Sequence, residues 1–437
     1  MPSTTQAIID RHDAHLSLNY PRYPVAMVEG RGAELRDAEG KTYLDLFAGF
    51  GAPVLGHCHP DLVEAVTRQA GKLWHVGNLF HTEPQTRAAE AIARLGFGGR
   101  SFFCHSGADA NEAALKLARL YGKANRGDAE GEFGRFGVIS CRQSFHGRSF
   151  ATMNATANPA VSAGFGPHLP GYVNVPYNDV DAVAAAIDPQ TVAVIAEPIQ
   201  GEGGINVPDP DYFRRLRALC DQHDLLLICD EVWTGCGRTG KTFAYQHWLD
   251  DHDHAPDIMT LGKGVGGGLA VGVMCAQDRI AELYNARTQG GVKHATTLGG
   301  NCLSMAVTAK IFEVLERDGL TARAEQLGAA AVARLRDWAQ DRDEVVEVRG
   351  RGLFIGVQLR PHGEAGGGAD GSEGGKEGGG EGGAWFGSAA EVVARCMERG
   401  LLINATGGNV LRIAPPITIE SEALDRGLDL LQEVIAG

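Results

Sequence analysis

Two residues of this chain could do covalent chemistry together. Lys263 stands between Gly262 and Gly264, just ahead of the triplet Gly266-Gly267-Gly268, and Asp230 closes the apolar run 225–229. Either residue alone has a plainer account. An aspartate after a strand is commonly a turn or cap residue, and a lysine among glycines is commonly a solvated loop residue. A phosphate loop would need GxxxxGK[ST], which Gly262-Lys263-Gly264 does not supply. As a pair they suit a sharper role. A lysine in an apolar, glycine-lined pocket sheds its proton and can attack a carbonyl to form a Schiff base. A carboxylate fixed opposite a heterocyclic nitrogen keeps that nitrogen protonated. Those are the two needs of pyridoxal 5'-phosphate chemistry.

The elements that must position them are readable. The run 225–229 predicts a strand buried on both faces, and 258–261 predicts another. In open α/β sheets, functional groups gather beyond the carboxyl ends of the strands. The segment between these runs, after Arg238-Thr239-Gly240, reads as an exposed loop. Upstream, Ser101-Phe102-Phe103-Cys104 reads as a strand, 105–109 as a turn and 110–121 as a helix with apolar spacing at Ala113, Ala114, Leu117 and Leu120. Strand, small-residue turn and helix N-terminus form an anion-binding arrangement, although an ordinary β–α turn has the same pattern. Residues 136–142 predict a strand leading into Ser144-Phe145-His146-Gly147-Arg148. Residues 192–196 predict a strand leading into Glu197 and the Gly-rich turn around Glu202, and 212–223 a helix. Strands alternating with helices predict a mainly parallel, doubly wound sheet.

The 437 residues suffice for two domains, and the 44% hydrophobic content is that of a globular protein. No apolar run approaches the ~20 residues needed to span a bilayer, and the N-terminus lacks the pattern of a secretory signal. A net charge of -14 argues against nucleic acid or an anionic membrane as partner. Nine scattered cysteines, several in apolar runs, fit reduced thiols in a cytoplasm. Residues 1–35 read as a polar arm, and 35–51 as a hairpin turning at Glu39-Gly40. In Gly56-His57-Cys58-His59-Pro60 the neighbouring ligands would point to opposite sides of an extended chain, so a structural turn is expected and no metal. A helix is expected over 61–73. After Asn301 the pattern changes to helices (304–316, 320–340) and strands (345–349, 353–359) of a smaller domain. Residues 361–384 are dominated by Gly, Glu and Ala, cannot bury a core, and are expected to be a disordered insertion. A helix over 388–399 with Gly400 as its C-cap, a strand around 409–414 and a helix over 423–435 complete the chain. Arg412 is a charge inside an apolar strand and requires a partner. The expected division is an N-terminal arm with part of the small domain (1–55), a large domain (56–301) and a small C-terminal domain (302–437).

The stretch Asp230-Glu231-Val232-Trp233-Thr234-Gly235-Cys236-Gly237-Arg238-Thr239-Gly240, followed by Leu261-Gly262-Lys263-Gly264, resembles the class III pyridoxal-phosphate aminotransferases, on the aspartate aminotransferase fold (type I). The resemblance extends over nearly the whole chain, most of all to acetylornithine and ornithine aminotransferases, with 4-aminobutyrate aminotransferase close behind. It implies an α/β large domain plus a smaller α+β domain. It implies that Lys263 carries pyridoxal 5'-phosphate, that Asp230 pairs with the ring nitrogen, and that Ser106, Gly107 and Ala108 hold the phosphate. Phe145 would stack on the ring with His146 beside it and Val232 opposite. His294 to Asn301 resembles the family's HGTTYGGN, which implies that Thr297 reaches the cofactor phosphate of the partner subunit in a homodimer with shared sites. For substrates, it implies an α-carboxylate of 2-oxoglutarate on Arg412, with Glu202 neutralising Arg412 when the donor reacts through a terminal amine. Arg148 would take the donor's distal carboxylate, with Tyr20 nearby and Phe50 on the approach. N-acetylornithine or ornithine is the expected donor, with 4-aminobutyrate the alternative. The chain departs from the family at Trp233, where glutamine is usual and contacts the cofactor's phenolic oxygen. An aminomutase or a decarboxylase on the same fold and a non-enzymatic binding module remain alternatives. The Glu202/Arg412 pair speaks against the first, and the presence of Lys263, Asp230 and the phosphate segment against the last.

Overall fold

The computed structural model describes residues 4–126, 132–249, 254–361 and 388–437. Its strands, in chain order, are β1 (Met27–Arg31), β2 (Glu34–Asp37), β3 (Thr42–Asp45), β4 (Arg100–Cys104), β5 (Gly137–Cys141), β6 (Tyr172–Val175), β7 (Thr191–Ala196), β8 (Leu226–Asp230), β9 (Ile258–Leu261), β10 (Gly272–Ala276), β11 (Val345–Arg351), β12 (Phe354–Leu359), β13 (Leu401–Leu402), β14 (Asn404–Thr406) and β15 (Val410–Ile413). Seven form a central sheet in the order β4-β10-β9-β8-β7-β5-β6. Only β10 runs against its neighbours there. The carboxyl ends of β4, β5, β7, β8 and β9 therefore lie along one edge. The expected mainly parallel sheet is present.

The apolar run of β8 shows why both faces are covered. Leu226 and Ile228 pack with Ala113, Ala114 and Leu117 of the helix Gly107–Ala124. Leu227 and Cys229 pack on the other face with Phe213 and Leu216 of the helix Tyr212–Gln222. A strand alternates its side chains between faces, so a run without polar residues needs a layer on each side. At the entry to β9, Asp257 sits fully buried. Its Oδ2 accepts Arg217 Nη1 at 2.7 Å and Leu227 N–H at 2.8 Å, and its Oδ1 accepts Arg279. This carboxylate ties β8, β9 and the helix Tyr212–Gln222 together below the site.

The strands outside the central sheet make two further sheets. One is β1-β2-β3-β13, with β3 and β13 parallel. The other is the antiparallel sheet β11-β12-β15-β14. The hairpin expected over 35–51 is present as β2 and β3, which pair antiparallel. Gly400, at φ 82°, follows the helix Ala389–Glu398 in the left-handed conformation a C-cap glycine supplies. All nine cysteines are free thiols; Cys58 is exposed and the others are buried. Among the described residues no helix is long and apolar enough to cross a membrane. The low-complexity insertion expected over 361–384 lies outside the described residues, apart from Pro361.

One expectation fails, and the polar arm 1–35 carries structure of its own. It forms a helix, Thr5–His15, opened by the Thr4 hydroxyl accepting Ala7 N–H at 3.3 Å, and it contributes β1. That helix buries none of its residues, so it carried no amphipathic signal. The supposed exposed loop before β9 is core. Phe243, Tyr245 and Trp248 are buried, because Glu231 accepts Tyr245 N–H at 2.6 Å and holds the segment inward.

Asp257→Ala would leave the buried Arg217 guanidinium with only the exposed carboxylate of Asp221, and the Leu227 N–H without its acceptor. The expected cost is about 3–5 kcal/mol, read as a large fall in the urea unfolding midpoint. Asp181→Ala, which removes an exposed pair with Arg215, should shift the midpoint little.

Candidate active site

Lys263 begins a short 3₁₀ turn just past β9, at φ 45°. A non-glycine residue avoids this left-handed region unless its surroundings fix it. They do so through Gly262, where an added Cβ would lie 3.0 Å from the Gly107 backbone and 3.0 Å from Val232 Cγ1. Gly107 is equally constrained, since its Cβ would lie 2.6 Å from both Val232 methyls. The turn after β4, the residue after Glu231 and the turn after β9 thus pack together. Gly107 and Ala108 open the helix Gly107–Ala124, whose N-cap Ser106 accepts Asp109 N–H at 3.2 Å. First-turn amides have no carbonyl within their own helix to bond, so this end favours an anion.

Asp230 is buried at the end of β8. Its Oδ2 accepts Asn111 Nδ2 at 2.7 Å and lies 2.7 Å from His146 Nδ1, and its Oδ1 accepts Val232 N–H at 3.0 Å. Asn111 also donates to His146 O at 2.7 Å and accepts Thr260 Oγ1 at 2.6 Å. His146 Nε2 is buried with no partner among the described residues. Asn111 and Thr260 went unnoticed in the sequence. Asn111 lies on the buried face of its helix, where a polar residue is the only available cue. Glu197, just past β7, is also buried. Its two oxygens accept Phe145 N–H at 3.0 Å and Gly201 N–H at 3.1 Å, and burial, reinforced by Asp230, pushes it up to about 7.

The third group comes from distant chain. Arg412 is fully buried on β15. Its Nη1 donates to Glu202 Oε1 at 3.0 Å and Gly201 O at 3.1 Å, and its Nη2 donates to Asn404 Oδ1 at 2.6 Å. Burial lowers its pKa despite Glu202. Burial raises Glu202, but Arg412 and Lys263 outweigh this and hold the carboxylate below its usual range. Trp233 Nε1 donates to the same Glu202 oxygen at 3.1 Å, and the indole centroid lies 4.1 Å from Lys263 Nζ. Burial lowers the Lys263 amine from 10.5 to about 8. Glu202 opposes that shift, Arg412 assists it, and Asp230 and Glu197 oppose it.

Most predicted site residues therefore converge. Phe145 is half-buried beside this group, with the exposed Arg148 guanidinium 5.7 Å from its ring centroid. Phe50 is exposed but faces Arg412, 5.8 Å from its ring centroid. Tyr20 is exposed on the arm with its ring against Arg22. Thr297 is exposed, in a segment anchored to β4 by Thr296 Oγ1 donating to Phe103 O at 3.3 Å. In the 56–60 turn, His57 Nε2 lies 2.7 Å from Asp45 Oδ2, while Asp45 Oδ1 accepts Phe47 and Ala48 N–H.

The sequence matches the family described as aminotransferase class III over residues 16–435. An acetylornithine aminotransferase of Caldanaerobacter subterraneus is 38% identical over 97% of both chains. An acetylornithine/succinyldiaminopimelate aminotransferase of Photorhabdus laumondii is 37% identical over 93% of this chain and 92% of its own. The chain belongs to the class III aminotransferases. This aminotransferase also matches a solved ornithine aminotransferase of Toxoplasma gondii, described with pyridoxal phosphate at partial occupancy in its active site. The TM-score is 0.86, with 30% identity over 99% of this chain and 94% of that one. The family is dependent on pyridoxal phosphate. The residues here fit that group: a buried amine of lowered pKa, a buried carboxylate with three fixed partners, and a glycine cradle at a helix N-terminus.

The Lys263 shift has a readable consequence. In cofactor-free protein, the reaction of Lys263 with pyridoxal phosphate, followed by absorbance, should rise with pH around a midpoint near 8 rather than 10.5. Lys263→Arg should abolish that signal. The unfolded chain keeps this proton up to about pH 10.5 and the fold releases it near 8, so this group makes stability rise with pH across that interval.

Proposed function

We propose that this enzyme transfers the terminal amine of N-acetylornithine or ornithine to 2-oxoglutarate, giving the semialdehyde and glutamate. The observation that carries the reading is the Glu202–Arg412 pair beside the Lys263 amine. A donor reacting through a terminal amine brings no carboxylate to Arg412, so the site needs its own. Glu202 supplies it. An acceptor with an α-carboxylate needs Arg412 itself, and a guanidinium fork suits a carboxylate in two-point contact. The names of the relatives point the same way.

Pyridoxal phosphate supplies a carbonyl carbon for the lysine amine and a ring that accepts an electron pair. Gly107 and Ala108 would hold its phosphate through backbone N–H groups, with Ser106 adjacent, and Phe145 and Val232 would flank its ring. Asp230, fixed by Asn111 and His146, would hold a proton on the ring nitrogen. The Lys263 amine would serve as the group that takes a proton from the substrate carbon and gives it back. An amine near 8 suits that task, because proton transfer works best when the pKa lies close to the working pH. Arg148 takes the donor's distal carboxylate. In a homodimer, the exposed Thr297 segment would help hold the cofactor phosphate of the partner subunit.

A panel of N-acetylornithine, ornithine, N-succinyldiaminopimelate and 4-aminobutyrate with 2-oxoglutarate, scored by glutamate release, tests the donor. The expected order puts N-acetylornithine or ornithine first, and no turnover with either would sink the reading. Lys263→Ala should lower kcat by at least about 10²–10⁴-fold, the usual weight of a positioned proton-transfer group. Arg148→Ala should raise the donor KM by about 10–100-fold, the loss of a charge-assisted contact, and leave the 2-oxoglutarate KM nearly unchanged. Equal effects on both would remove Arg148 from its role.

A further inference from the structure

We propose that Trp233 acts as a latch on the Glu202–Arg412 pair, and so sets how strongly this enzyme favours terminal-amine donors over α-amino acids. The proposal rests on the roles given above to Glu202 and Arg412. Glu202 Oε1 accepts from two donors at once, Arg412 Nη1 at 3.0 Å and Trp233 Nε1 at 3.1 Å. Indole has one donor and no acceptor. If Glu202 leaves Arg412 to admit a substrate carboxylate, the Trp233 N–H loses its charged acceptor inside a buried site. Hydrogen bonds to an ionised acceptor are about twice as strong as neutral ones. The latch therefore opposes opening.

The indole cannot swing to follow Glu202. A Cβ at Gly201 would lie 2.6 Å from its Cδ1, and one at Gly51 would lie 2.5 Å from its Cζ3, so the ring is gripped between two backbones. It also stacks on Phe354, with centroids 5.1 Å apart and planes at 21°. Its N–H is aimed by this packing and not by Glu202. The Arg412 guanidinium lies 4.4 Å from the ring centroid. That attraction belongs to the ring and persists whether or not Glu202 is in place. The N–H is the part of Trp233 that tells the closed arrangement from the open one. A substrate whose α-carboxylate must reach Arg412 works against the latch, and a terminal-amine donor does not.

Trp233→Phe keeps one aromatic ring to pack on Phe354 and removes the N–H donor together with the second ring of the indole. In the holoenzyme, the Kd of glutarate, a non-reacting dicarboxylate, should fall by about ten-fold, the weight of one hydrogen bond to a charged group. The ratio of kcat/KM for ornithine to kcat/KM for L-alanine should fall by a similar factor. Arg412→Lys should weaken glutarate, which shows that the titration reads this site. If Arg412→Lys leaves glutarate binding unchanged, the role of Arg412 itself is wrong. If Arg412→Lys weakens binding but Trp233→Phe leaves Kd unchanged or raised, or alters both donors equally, the latch alone is overturned. A circular dichroism spectrum matching the wild type establishes that the Trp233→Phe protein is folded.

Discussion

The site depends on keeping an ammonium group out of water. A buried lysine pays for lost hydration by giving up its proton more readily, and here the amine falls to about 8. How far it falls is a balance between charges. Arg412 pushes the same way as burial, while Glu202, Asp230 and Glu197 push back. Each of those groups must therefore be held at a fixed distance, or the amine would stay fully charged or drift too low to hold a proton. Glu197 illustrates the coupling. Its carboxylate joins the Phe145 turn to the Gly201 turn, so the residue flanking the cofactor space and the residue neutralising Arg412 are positioned by one buried acid.

The fixed distances come from two sheets that are far apart in sequence. Asp230, Lys263, Glu197 and Phe145 hang from the carboxyl edge of the central sheet. Arg412 and its partner Asn404 come from β15 and β14 of the C-terminal sheet. Arg238, in the turns between β8 and β9, locks the two together. It is fully buried and donates to Leu353 O at 3.2 Å and to Pro415 O, three residues after Arg412. Burial lowers even its pKa to about 10. Neutral carbonyls compensate that guanidinium, so it welds the sheets without adding a carboxylate that would disturb the Lys263 balance.

The central sheet was legible because a strand covered on both faces cannot hide its apolar run. The residues at its carboxyl edge follow from that placement, and so do Lys263 and Asp230. Asn111 and Thr260 were not legible. Each makes its decisive contact across a helix–sheet boundary, and a buried amide on a helix looks like any other helix residue until the carboxylate it orients is known. The segment Phe243–Trp248 was misread for the opposite reason. Its burial depends on Glu231, an acid that reads as polar and in the fold is pushed up to about 7 by burial while accepting Tyr245 N–H. Tyr20 was placed by resemblance alone, and its side chain is exposed on the arm.

In the proposed reaction, Arg412 would let the site serve two kinds of substrate in turn. A guanidinium offers five N–H donors. Here the Nη1 and Nη2 groups find acceptors in Glu202, Gly201 O and Asn404, while Nε is buried with no partner among the described residues. A buried donor without an acceptor carries a desolvation penalty of about 1–3 kcal/mol. That penalty is recoverable by any carboxylate able to reach the group. Removing the charge outright is not an option, because an uncompensated buried guanidinium costs more than a paired one. The arginine thus always needs a carboxylate and is never fully satisfied by the one the chain provides. In the proposed reaction a substrate carboxylate would compete with Glu202 for this single cation, and the substrate present would decide which of the two holds it.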